Sequence, residues 1–206
     1  MSYNNSPCPR GTVFYDDSRT VPAVAGDMNR LEGLPVCYED ISYVDKATKV
    51  SGREVKAILV KNVSGIALKP GQLVTWATGY VGRKVDGYAR TTGGKIAGIV
   101  DDWLPAAGAA DDQIFNLIVK GPVRVKSPTD NGGGDIASGD HLTADTATTA
   151  AATNSTTGGR AAKIDADTTN LTGEYERRII GIALEANLSS NTDALFDACV
   201  DINIAD

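Results

Sequence analysis

The chain has 206 residues and a formal net charge of −6, from 20 Lys+Arg against 26 Asp+Glu, with only 1 His, 3 Cys and 2 Met. So little imidazole and thiol removes most metal and nucleophile chemistry, and the acidic balance speaks against a general nucleic-acid binder, which presents a basic face. With 42% hydrophobic and 22% charged residues, the composition is that of one substantial domain or two small ones, able to bury a core.

Met1 to Arg10 offers no basic region followed by an apolar stretch, so no secretory signal is expected. No apolar run approaches the roughly 18–20 residues that a membrane-spanning helix needs. Cys8, Cys37 and Cys199 are scattered without CxxC or zinc-ligand spacing, which fits free thiols in a reducing compartment. Residues 1–50 are broken by Pro7, Pro9, Gly11, Pro22, Gly26, Gly33 and Pro35, yet keep apolar and aromatic residues between the breaks. An extended N-terminal arm is expected there, ordered by lying on its own core or on a partner.

From Val55 the pattern turns to β. Val55–Val63, Leu73–Trp76, Ile96–Val100 and Ile114–Val119 are short runs rich in branched residues, too short for typical helices. Gly and Pro separate them, and Gly121-Pro122 is expected to end the last before Val123–Lys126 begins. No long amphipathic helix is visible. An all-β chain is therefore expected, a sandwich or barrel spanning 51–206. Thr143–Ala162 consists mostly of Ala, Thr, Gly, Asn and Ser. It is expected to be a surface loop inserted in that domain, unable to build a core.

Charge is unevenly spread: residues 51–128 hold 11 basic and 6 acidic side chains, and residues 129–206 hold 4 and 13. Two regions also echo each other. Lys95–Val100 (KIAGIV) matches Arg178–Ala183 (RIIGIA), and Ile114–Val119 (IFNLIV) matches Leu195–Val200 (LFDACV). Upstream of each pair stands a Gly-x-x-x-Thr start, at Gly71–Thr75 and at Gly139–Thr143. Two alike β-modules facing each other explain the echo.

Chemistry is mostly missing. The single imidazole, His141, sits in a turn with no GxSxG elbow in the chain. The doublets Asp16-Asp17, Asp101-Asp102 and Asp111-Asp112 would point to opposite faces if they lay in strands. There is no EF-hand spacing, GxGxxG or Walker loop. Trp76, Trp103, Tyr80 and Tyr88 could form a sugar platform, though such aromatics are more often core. No catalytic, cofactor-binding or metal-binding residue is expected.

The order of several short motifs resembles the capsid decoration (cement) proteins of tailed bacteriophages. These are Val60–Gly65 with Leu68–Val74, then Ile96–Val100, Ala106–Gly108, Ile114–Gly121, Gly139-Asp140-x-Leu142 and Ile180–Glu185. The resemblance covers about residues 55–206, leaving out the arm and the Ala/Thr-rich insertion. It implies a β-rich structural virion protein that is not an enzyme. Such a protein binds the major capsid protein on the outer surface of the head and stabilises it against internal DNA pressure. It further implies a homo-oligomer, a trimer before a dimer, made in the host cytoplasm, with no cofactor, no direct nucleic-acid contact and no membrane. Phe14, Tyr15, Arg19, Tyr38 and Tyr43 are the expected capsid or inter-subunit contacts, since exposed aromatics and Arg are favoured anchors. The alternative is a glycan- or host-surface-binding β-module of a phage head or tail fibre.

Overall fold

Runs of β-branched residues between positive-φ glycines leave the backbone little choice but short strands joined by tight turns. The computed structural model describes residues 9–15, 31–42, 44, 48–88, 96–127, 135–144, 159–164, 179–187 and 194–202. These contain β1 (Val13–Tyr15), β2 (Pro35–Ile41), β3 (Lys49–Asn62), β4 (Leu73–Trp76), β5 (Lys84–Tyr88) and β6 (Ile96–Val100). They continue with β7 (Gln113–Lys126), β8 (His141–Ala144), β9 (Ala161–Lys163), β10 (Gly181–Ala183) and β11 (Leu195–Asp201). No helix occurs among the described residues, and the all-β expectation holds.

The pairing closes on itself. β3 pairs with β5 in parallel, β5 with β4, β4 with β6, β6 with β7, and β7 back with β3, the last four antiparallel. This five-stranded circuit encloses Ile58, Val60, Val74, Val85, Val100, Phe115, Leu117 and Val119. Beyond it, the second half of β7 pairs with β11, β11 with β10, β10 with β8 and β8 with β9. The inner face of this second sheet, with Leu142, Ile180, Phe196, Ala198 and Val200, packs on the outer residues Leu73, Ile99 and Ile118 of the barrel.

The two halves repeat one strand order and register, closed into a barrel in the first and, among the described residues, left as a sheet in the second. Ile99 pairs with Ile118 and Val100 with Leu117; at the matching places Ile182 pairs with Cys199 and Ala183 with Ala198. Leu73 faces Ile99 and Val74 faces Gly98, as His141 faces Ile182 and Leu142 faces Gly181. The turn bonds repeat as well: Gly71 N donates to Val100 O, and Gly139 N to Ala183 O. A Cβ on Gly98 would meet Leu117 and Ile118 O, and one on Gly181 would meet Cys199 O, so both positions require glycine for the same reason. Even the first strand recurs. Val60 opposite Phe115 in the first module corresponds to Val125 opposite Phe196 in the second. The echo in the sequence is thus a duplication in register, and β7 is both the last strand of one module and the first of the other.

Three local expectations are corrected. Gly121-Pro122 does not end a strand: β7 runs through it. Gly121 bends the strand at φ 102, where a Cβ would collide with Glu54 O of β3, and the neighbouring β3–β7 pairing carries a register shift. The ends of the Ala/Thr-rich stretch are not exposed. Thr143 and Ala144 belong to β8, Ala161 and Ala162 to β9, and Ala144 and Ala161 are core residues. Both alanines share a buried cluster with the barrel's outer residues Leu73, Ile99 and Ile118. Residues 145–158 lie outside the described residues. Finally, Asp101 and Asp102 follow β6 rather than lying in it, which frees both carboxylates to turn to one partner.

Candidate interaction surface

That partner is Arg10. Its Nε donates to Asp101 Oδ1 at 3.1 Å and its terminal nitrogen to Asp102 Oδ1. Asp102 Oδ2 also accepts from Arg124 Nε of β7 at 2.9 Å, so one carboxylate joins the arm, the barrel and the second sheet. Asp101 is fully buried and accepts further bonds from Gly11 N at 2.6 Å and Trp103 N at 3.2 Å. Burial pushes its carboxyl above the usual range, and the Arg10 charge pulls the other way. The guanidinium also lies 4.6 Å from the centre of the Trp103 ring, a cation–π contact. Gly11 takes φ 76 there, and a Cβ would lie 2.7 Å from Trp103 O. Asn116 completes the anchor: its Nδ2 donates to Pro9 O at 3.2 Å, and its Oδ1 accepts from the Tyr38 hydroxyl at 2.8 Å.

Residues 9–15 are therefore strapped onto their own chain. β1 pairs with the start of β7, Val13 opposite Phe115. Phe14 packs beside Leu59 and Ile114 together with Leu31 and Leu34. Tyr38 lies half-buried against the inter-module core. The backbone of Tyr15 pairs with Gln113, whereas Arg19 and Tyr43 lie outside the described residues. The aromatics weighed as a sugar platform are held elsewhere: Tyr88 is inside the barrel, Trp103 under Arg10, and Tyr80 under Lys84 at 4.5 Å. Asn62 is fully buried, donating to Ile66 O and Ala109 O. The buried Arg10 anchor gave no sequence signal beyond a doublet and a distant arginine.

The outer face of the second module offers an open groove of about 610 Å³. The strand register sets out its floor in two rows. His141, Ile182 and Cys199 form one, running across β8, β10 and β11. Asp201, Lys120 and Lys56 form the next, across β11, β7 and β3. Ile179, 41% exposed, and Ile182, 38% exposed, give the groove its apolar part, and Arg53 and Glu54 also line it. Lys120 Nζ meets Asp201 at 2.6 Å and Lys56 Nζ meets Glu54 at 3.5 Å. His141, expected on the surface in a turn that leads into a strand, is the exposed first residue of β8. The signal that could have found the groove was the echo, because Ile182 and Cys199 stand where buried Ile99 and Ile118 stand in the first module.

No protein-family model matches the chain, and no curated protein matches it. Among solved structures it is similar to the N-terminal base of the head fibre protein gp8.5 of bacteriophage phi29. The identity is 16% and the TM-score 0.40, over 71% of this chain and 94% of that one.

Proposed function

We propose that this protein is a non-enzymatic structural component of a phage head. It binds the major capsid protein on the outer surface of the assembled shell, as a homo-oligomer, and stabilises the shell against internal pressure. The observation that carries this reading is positional. Of the motifs that resemble the cement-protein family, Val60–Gly65 with Leu68–Val74, Ile96–Val100 and Ile114–Gly121 fall on β3, β4, β6 and β7 of one closed barrel, Ala106–Gly108 lies between β6 and β7, Gly139-Asp140-x-Leu142 runs into β8, and Ile180–Glu185 falls on β10 and the turn after it. Ordered pieces of one folded unit are better support than the same pieces scattered over a chain. A strap tied down by buried charges, and a groove left open on the opposite module, suit a rigid body that docks through its surface. Many copies on a closed shell let modest contacts act together.

The test is co-sedimentation with heads from which the protein has been removed, expanded and unexpanded shells compared. Saturable binding at a fixed ratio to the shell subunit, favouring expanded shells, is the expected result. Absence of binding to both would sink the proposal and turn attention to glycan and whole-cell binding.

A further inference from the structure

Among the described residues, the groove on the second module is where the repeat goes uncovered. In the first module the row Leu73–Ile99–Ile118 is fully buried, packed under the second sheet. The corresponding row His141–Ile182–Cys199 is open to solvent along the groove. Its apolar members stand at positions that this fold, in its other copy, uses for packing. Beside it, two residues further along the strands and so about 7 Å away, runs the ionic row.

That row has a sign. In a chain of net charge −6, the groove is lined by Arg53, Lys56 and Lys120 against Glu54 and Asp201. Each of the two carboxylates is already bridged to a lysine. Among the described residues no carboxylate is paired with Arg53, which is exposed on the groove wall. The occupant therefore has to bring apolar side chains to one row and negative charge to the other. An extended chain does this with no further structure, since successive side chains point to opposite sides.

Resting on the function proposed above, we infer that this groove seats an extended segment of the shell subunit in which apolar and acidic residues alternate. The apolar flank lies over Ile182, Ile179 and Cys199, and the acidic flank over Arg53 and the lysine row. Charge matching of this kind sets register and excludes basic segments as well as adding affinity.

The experiment uses the full chain and stripped heads. Ile182→Asp places a charge on the apolar row, and Arg53→Glu reverses the exposed cation; both residues are exposed, and circular dichroism with urea unfolding verifies that each variant folds. Each change is expected to weaken head binding at least tenfold, while Val81→Asp, exposed on the β4–β5 turn, leaves it unchanged. A short photo-crosslinker on Cys199, with Cys8 and Cys37 replaced by serine, is expected to mark an acidic segment of the shell subunit. A Lys introduced in that segment should restore binding of the Arg53→Glu protein. Heads that bind both groove variants as tightly as the parent, or a crosslink to a basic segment, overturn the groove assignment and leave the proposed function standing. Heads that do not bind the parent protein overturn both.

Discussion

The first module is covered on its outer side twice, by the strap and by the second module, and the second module is covered by neither. The same positions show it. After β6 the first module places Asp101 and Asp102 around Arg10; after β10 the second places Leu184, 37% exposed, and Glu185. Where Asn116 bonds to Pro9 and Tyr38, the second module has Asp197, whose carboxyl burial and the nearby Glu185 push upward. One fold thus serves as a sealed core in one copy and as a surface in the other: the outer row changes from Leu73, Ile99 and Ile118 to His141, Ile182 and Cys199, while the inner positions stay apolar, some kept (Phe115 and Phe196) and some made smaller (Leu117 and Ala198).

The contrast can be broken first at the strap. Arg10→Ala strands Asp101 in the interior, and losing one partner of a buried pair typically costs about 3–5 kcal/mol. Glu185→Ala, at the matching turn of the second module, is expected to change stability by less than about 0.5 kcal/mol. Urea unfolding of both variants measures the difference, and equal losses would mean the strap does not distinguish the modules. Inside, the modules should agree. Phe115→Ala and Phe196→Ala remove equivalent, nearly fully buried rings, and each is expected to cost about 3–4 kcal/mol. A negligible loss at Phe196 would show that only the barrel has a true core.

The turn glycines give a smaller and more discriminating effect. Gly71 and Gly139 take φ 73 and 94, so Ala at either meets the left-handed penalty of about 1–2 kcal/mol. At Gly139 the new Cβ meets nothing within 4 Å, while at Gly71 it meets the Leu195 side chain and Arg124 O of the second module. Thermal unfolding is expected to rank Gly71→Ala clearly below Gly139→Ala. The smallest effect is Asp197→Asn, which gives the second module the first module's residue. The Asp197 carboxyl is raised in the folded protein, so its ionisation works against folding, and the stability it contributes at low pH is lost as pH rises through the folded value. The Asn variant should therefore be more stable than the parent at pH 7, by under about 1 kcal/mol for a group this exposed. The gain should vanish near pH 3; a gain that persists there would rule out the electrostatic cause.

The fold class and most strands were legible because branched residues cluster between glycines in this chain: Leu73–Trp76 and Ile96–Val100 are strands, and Val55–Val63 is strand up to Asn62. The echo was legible because Gly98 and Gly181 must both let a neighbouring backbone approach. What stayed hidden depends on contacts distant in sequence. Whether Gly121-Pro122 stops or bends a strand is decided by Glu54 O on β3, and whether Ala144 and Ala161 are loop or core by the barrel residues that share their cluster. The fate of Asp101-Asp102 is decided by Arg10, more than ninety residues away. The groove proposed for docking was less legible still, since Ile182 alone looks in sequence like any strand isoleucine and only its match to buried Ile99 in the echo marks it.

Two lobes joined by a linker can swivel, and a pull on one reaches the other only when the linker is taut. Here β7 passes from one lobe into the other as 14 uninterrupted residues, hydrogen-bonded to β3 in the first half and to β11 in the second. A force applied at the proposed groove would pass along a single backbone into the barrel wall and load those ladders along their length. A tilt of one lobe against the other would have to be taken up at the Gly121 bend or strain one of those two ladders, a tighter coupling than a linker would give.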